Sequence, residues 1–145
     1  MSAPLRIRVV EPADLEALVA LWHEVFPEYR DPTKPQRDPR ANIERKLAQR
    51  DGLFWLAEGD DGIVATAMAG YDGHRGWLYS VGVHPRVRRS GLARALVAHA
   101  EAALAQRGCP KINLQVMTVN ESAQAFWRAV GYAPDLVVSF GKRLR

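Results

Sequence analysis

No run of 18 apolar residues occurs in this 145-residue chain, so the sequence offers no candidate membrane-spanning helix. The N-terminus lacks the basic, apolar and small-residue pattern of a secretion signal. Cysteine is almost absent: Cys109 stands alone, which excludes an internal disulfide and fits a reducing, cytoplasmic setting. There are no repeats, no low-complexity tracts and no linker long enough to separate domains, and one domain over residues 1–145 is expected. A Walker lysine motif and a complete GxGxxG are both missing, which weakens the mononucleotide and dinucleotide readings. The net charge of +4 favours an anionic partner, either nucleic acid or a polyphosphate cofactor. The basic residues are scattered and no nucleic-acid module is recognisable, so no specific nucleic-acid complex is expected. No metal site is expected, and His23 reads as a helix-surface residue.

What is present is enough apolar sequence, 48%, for a real core. Leu5 to Val10 reads as a first strand, with Ile7 and Val9 alternating against Arg6 and Arg8. Pro12 and Asp14 suit the first turn of a helix whose apolar stripe is Leu15, Leu18, Val19, Trp22, Val25 and Phe26. The segment from Pro27 to Arg37 reads as a loop, either a mobile pocket wall or a plain solvated connection. Asp38 and Pro39 then have the order of an N-cap and first helical residue for a second helix to about Gln49.

Two strand-like runs, Leu53 to Glu58 and Ile63 to Tyr71, meet at Gly59-Asp60-Asp61-Gly62, a hairpin signal. Asp72-Gly73-His74-Arg75-Gly76 is a second hairpin turn, leading into a strand from Trp77 to Val83. Gly82 inside that strand marks a bulge or a close approach by another backbone. Leu92, Leu96, Val97, Ala100 and Leu104 recur at helical spacing, with Arg107-Gly108 as a stop signal. Ile112 to Met117 alternates as a further strand. Asn120, Glu121 or Ser122 caps another helix ended by Gly131, and Leu136 to Phe140 reads as a final strand. The order βααβββαβαβ implies a mixed α/β fold with helices on both faces of one sheet.

The segment Val81 to Ala93 carries the chemistry. A strand meets Pro85, which cannot donate to a ladder. Arg86, Arg88, Arg89 and Arg94 follow, and Ser90 and Gly91 open a helix. Orphan N–H groups and the dipole at a helix start make an anion cradle. The alternative is a surface turn with solubilising arginines.

These residues also resemble a known family. Arg88-x-x-Gly91-x-Ala93, preceded by Val83-His84-Pro85, resembles the (Gln/Arg)-x-x-Gly-x-(Gly/Ala) signature of the GNAT N-acetyltransferases. Asn120-x-x-Ala123-x-x-Phe126-Trp127-x-x-x-Gly131-Tyr132 resembles their later Asn-x-x-Ala-x-x-x-Tyr helix. A narrower likeness, to the YpeA-type bacterial acetyltransferases, rests on Tyr71 to Gly76, Gly82 to Pro85, Arg107 to Ile112 and Gly141 to Leu144. The resemblance implies a mainly antiparallel sheet with one splayed parallel strand pair. It implies acetyl-CoA as cosubstrate and an amine acceptor, on a small molecule or a protein, attacking directly in a ternary complex. Its pyrophosphate would lie on Arg88, Arg89, Ser90, Gly91, Leu92 and Ala93, and its pantetheine arm along Val81 and Val83, with Asn120 and Phe126 contributing. The Val81 N–H would stabilise the oxyanion. A monomer or a homodimer fits equally.

Two departures from the family pattern concern protons. The tyrosine that protonates the leaving thiolate falls at Trp127, whose indole is no acid at neutral pH. A glutamate common in protein N-terminal acetyltransferases falls at Gln115, which cannot act as a base. Tyr79, two residues before Val81 and so expected on the same strand face as Val81 and Val83, is the candidate acid, or else a packed structural tyrosine. Asp72 and His74 are candidate bases, with pure turn chemistry as the alternative for Asp72. Cys109 reads as a buried strand-edge residue, and His84 as a surface neighbour of the cofactor turn. The departures leave a second possibility, a catalytically weak module that binds or senses acyl-CoA.

Overall fold

The computed structural model describes residues 4–145, and the chain forms two compact units, Met1–Leu114 and Gln115–Arg145. The first unit holds a five-stranded sheet in the order β1 (Arg6–Val9), β2 (Phe54–Gly59), β3 (Gly62–Tyr71), β4 (Gly76–Val83) and β5 (Ile112–Asn113). The first four strands pair antiparallel and β4 pairs parallel with β5. Three helices accompany them: α1 (Leu15–Val25), α2 (Pro39–Ala48) and α3 (Leu92–Gln106). This is the mixed, mainly antiparallel sheet with one parallel pair that the sequence implies.

The strands of the middle of the sheet are apolar on both faces because both faces are covered. Phe54, Leu56 and Met68 face one way and form a core with Leu18 and Trp22 of α1 and Ile43 of α2. The Trp22 indole is fully buried and donates to Thr66 Oγ1 at 3.4 Å, so its one polar atom is satisfied. Trp55, next in the alternation, faces the other way and meets His99 of α3 edge-on. All five residues of the α3 stripe, Leu92, Leu96, Val97, Ala100 and Leu104, are buried. Each large aliphatic side chain so buried contributes roughly 1.5–3 kcal/mol.

Helix α2 starts as its sequence predicts. Asp38 accepts from the Arg40 N–H at 2.9 Å, and Pro39 occupies the first turn. Its one buried charge, Lys46, is held by Asp51 at 2.8 Å, Gln49 at 3.1 Å and the Ala69 carbonyl. Part of the expected loop after α1 is ordered as a 3-10 turn at Pro27–Arg30. The cause is local: Tyr29 stacks on Trp22, and Asn42 donates to its hydroxyl at 2.9 Å.

Arg8 ties the N-terminal strand to two distant carboxylates, Asp14 at 2.9 Å and Glu58 at 2.8 Å. Hydrogen bonds from Arg8 and then Arg6 pull the Glu58 carboxyl down to about 2, and Arg8 lowers Asp14 as well. A carboxylate with a depressed folded value stabilises the fold above its unfolded value and loses that contribution as pH falls. Thermal melts should therefore show stability decaying between about pH 4.5 and about pH 2. Glu58→Gln should flatten that slope, and parallel slopes for the variant and the parent would refute the link.

A β-bulge corrects one sequence expectation. Thr66 pairs with Gly82 but Met68 pairs with Tyr79, so β4 carries one extra residue between them, at Ser80 and Val81. Ser80, within the bulge, takes a φ of +48°, in the left-handed region. Counted through the β3 partners, Tyr79 lies on the Gly82 face, toward α1, while Val83 pairs with Ala65 and faces α3. Tyr79 and Val83 do not share a face, because the bulge breaks the period of two. The close approach at Gly82 is real, but the intruder is a side chain. A Cβ there would sit 2.8 Å from the Phe26 ring and 3.1 Å from Val25.

Gly76, where β4 meets β5, is equally confined: a Cβ would lie 2.6 Å from Cys109 Sγ, with Leu104 at 3.3 Å. Gly76→Ala should destabilise by about 1–3 kcal/mol through overpacking. Adding Cys109→Ala should restore most of the loss in a denaturant titration, since it removes the nearest atom. A double variant as unstable as the single one would place the strain elsewhere.

In the second unit, α4 (Glu121–Ala129) is capped by Asn120, whose Oδ1 accepts from the Ala123 N–H at 3.1 Å. Strand predictions near the C-terminus fall short. The expected strand from Ile112 to Met117 keeps only Ile112–Asn113, and Leu136 to Phe140 adopts no strand. Alternation gives a segment the capacity to be a strand, but only ladder pairing makes it one. Here Gln115 instead reaches Ser139 through its side-chain amide.

Candidate active site

The parallel pair is brief: Gly76 faces Ile112 and Trp77 faces Asn113, and no further register is formed. Beyond it, β4 runs on from Leu78 to Val83 with, among the described residues, no ladder partner on that side. The His84 N–H bonds the Val64 carbonyl at 2.7 Å, toward β3. Val83, one residue earlier, therefore turns its N–H and C=O toward the open side. Its carbonyl takes the Arg88 Nε at 3.3 Å.

After Val83 the chain makes a 3-10 turn at Pro85–Val87. Ser90 Oγ donates to the Val87 carbonyl at 2.5 Å. Arg89 has a φ of +65° and Gly91 a φ of +82°. Left-handed residues interspersed in such a turn bend successive N–H groups into one concavity, and the α3 N-terminus adds N–H groups that have no partner within the helix. Arg86, Arg88, Arg89 and Arg94 supply positive charge on the same short segment. The concavity has room as well: nothing lies within 4 Å of a Cβ built on Gly91. An open, basic, N–H-lined turn beside a strand edge fits a polyphosphate carrying an amide-containing arm.

The proton-transfer candidates differ in their surroundings. Tyr79 is 46% exposed, its ring lying over Gly70 at 3.5 Å from that residue's built Cβ. Burial, and then the charge of Asp72, raise its phenol above the usual value. Asp72 is committed to its turn, with Oδ1 accepting the N–H groups of His74 and Arg75 at 2.8 Å each. Those bonds hold its carboxyl below the usual range, with Arg75 the larger cause, which makes it a poor base. His74 is exposed on the same hairpin. Cys109, half-buried, donates weakly to the Lys111 carbonyl at 3.3 Å.

In the second unit, Asn120 Oδ1 serves the helix cap and also takes the Ser122 hydroxyl at 3.2 Å, which leaves its amide N–H₂ for other contacts. Phe126, Trp127 and Tyr132 form an edge-to-face chain with centroids 5.1 and 5.2 Å apart. Trp127 is thus a packing residue within its own unit.

Sequence reasoning missed two residues beside the turn. Phe26 seals Gly82, a contact the lone glycine in a strand did signal. Glu24 reaches His84 Nε2 at 2.6 Å, and an exposed glutamate on a helix gives no signal of that kind. Among the described residues no helix is long and apolar enough to cross a membrane, and no group of His, Cys, Asp and Glu could hold a metal ion.

The sequence model of the Acetyltransferase (GNAT) family matches residues 15–132. Acetyltransferase YE1169 of Yersinia enterocolitica is 40% identical over 140 residues, spanning 97% of this chain and 96% of that protein. Among solved structures, a GCN5-related N-acetyltransferase from Ralstonia eutropha superposes with a TM-score of 0.74 at 26% identity, covering 96% of this chain and 99% of that one. Aminoglycoside N-acetyltransferase AAC(6')-Iy in complex with CoA superposes at 0.77 and 22% identity, over 100% and 97%. With a family match across most of its length and a near full-length relative at that identity, this chain belongs to the GNAT family of acetyltransferases.

Proposed function

We propose that this enzyme transfers the acetyl group of acetyl-CoA to a primary amine, on a small molecule or a protein, by direct attack in a ternary complex. The observation that carries this reading is the positive-φ basic turn opening α3 beside the unpaired edge of β4. Arg88 to Ala93 hold the pyrophosphate. Val83, with its N–H turned to the open side, and Val81, in the bulge, accompany the pantetheine arm. The match over residues 15–132 runs through both compact units, which supports one catalytic domain including Asn120 and Phe126. The motifs at Tyr71 to Gly76 and Gly141 to Leu144 support assignment to the YpeA-type subgroup.

The chemistry divides into positioning, charge stabilisation and proton transfer. A neutral amine forms a bond to the acyl carbon, and the Val81 N–H receives the developing oxyanion. The C–S bond then breaks, the nitrogen gives up a proton, and the thiolate takes one. Tyr79 is the side chain assigned to the thiolate. His74, exposed and free of the cap duty that occupies Asp72, is assigned to the amine, with water as its relay.

Titration calorimetry with acetyl-CoA and with adenosine diphosphate separates a cofactor site from a general anion site. Free-thiol release across amines, amino acids, polyamines and peptides then reads turnover. No acetyl-CoA binding at millimolar ligand would end the proposal. The packing role of Trp127 favours one second reading, a module that binds acyl-CoA with little turnover. Tight binding with silence across the panel would support it.

A further inference from the structure

Helix α1 ends against the start of the basic turn, and one imidazole joins them. His84 Nε2 lies 2.6 Å from Glu24 Oε2, and His84 Nδ1 accepts the Arg86 N–H at 3.2 Å. The His84 backbone is fixed too, with its N–H on the Val64 carbonyl and its C=O taking the Val87 N–H at 3.0 Å. A neutral imidazole carries one proton. Since Nδ1 accepts, the proton sits on Nε2 and is donated to Glu24. A carboxylate on one nitrogen thus selects the tautomer that leaves the other free to accept.

We propose that Glu24 is a positioning residue, acting through His84, that sets the shape of the phosphate-binding turn. The turn begins at the Arg86 N–H that His84 caps. It continues through the Arg88 N–H on the Pro85 carbonyl at 3.3 Å, to the side chain of Arg88 on Val83. Without Glu24, His84 exchanges between tautomers, and in one of them Nδ1–H opposes the Arg86 N–H instead of accepting it. The cap is then lost part of the time, and the turn must be reordered when the cofactor arrives. Phe26, two residues beyond Glu24, packs on Gly82 and holds the end of α1 in place. The inference rests on the reading that this turn binds the pyrophosphate of acetyl-CoA.

The test is a double-variant cycle read by CoA affinity and by KM for acetyl-CoA against kcat. Glu24→Ala and His84→Ala should each weaken CoA binding about threefold to tenfold, the size expected for losing a cap, with kcat nearly unchanged. His84→Asn puts an amide oxygen close to the Nδ1 position and caps without needing a tautomer. It should retain most of the affinity, and Glu24→Ala added to it should have no further effect. A merely structural contact would lower the melting temperature of Glu24→Ala without moving CoA affinity, and that result would overturn the proposal. So would a Glu24→Ala penalty that persists in the His84→Asn background. If the parent protein itself binds no CoA, the functional reading falls instead, so the two failures are distinguishable.

Discussion

Gly91→Glu should abolish acetyl-CoA binding while leaving the protein folded. Gly91 caps α3 with a φ of +82°, and a Cβ built there meets nothing within 4 Å. The substitution therefore creates no clash, and its structural cost is the left-handed strain of a non-glycine residue, about 1–2 kcal/mol. The carboxylate gains a little back from the helix dipole. For the cofactor the change is severe, because the new charge occupies the space where a pyrophosphate meets the α3 N-terminus. Like charges about 4 Å apart at a protein surface repel by about 4 kcal/mol, which is more than a hundredfold in affinity. Gly91→Ala isolates the strain and should bind within about tenfold of the parent. Calorimetry reads the affinity and a thermal melt confirms the fold. A folded Gly91→Glu protein that keeps near-parental affinity would remove this turn from the cofactor site.

Tyr79→Phe should lower turnover by about 10² to 10⁴-fold, the usual contribution of a positioned general acid, and leave acetyl-CoA affinity nearly unchanged. Only the hydroxyl is lost, so the ring stays over Gly70 and the strand is undisturbed. The raised phenol has both a benefit and a cost. It keeps Tyr79 protonated at neutral pH, ready to donate. It also makes full transfer to a thiolate of ordinary pKa ~8.5 uphill, so the proton must move as the C–S bond breaks. A Phe variant with near-parental turnover would make Tyr79 structural and water the proton source. Trp127→Tyr is the converse check, since a gain in rate would mean that the family's usual acid is missed here.

Local signals were legible in the sequence where local physics decides. The Asp38-Pro39 helix start, the α3 stripe and both hairpin turns follow from capping, periodicity and turn chemistry. Asn120 proved to be the cap among three adjacent candidates. What stayed hidden depends on partners far along the chain. The Arg8 link to Glu58 spans 50 residues, and the Glu24 link to His84 spans helix and turn. The bulge is the instructive case. Gly82 announced an irregularity, but the extra residue sits at Ser80 and Val81, and its effect is to turn Tyr79 away from the face of Val83. The C-terminal segment shows the reverse error, in which an alternating pattern promised a strand that no ladder supports.

The brevity of the β4–β5 ladder also bears on how the protein behaves when its cosubstrate is scarce. Beyond Trp77 the outward main-chain groups of β4, such as the Val83 N–H, have no ladder partner among the described residues, and an unpaired strand edge is a template on which chains recruit one another into aggregates. Any ligand that lies along that edge and binds only the native state raises stability by mass action and shields the template as well. Acetyl-CoA added to the purified protein should therefore raise its melting temperature and slow its aggregation on storage.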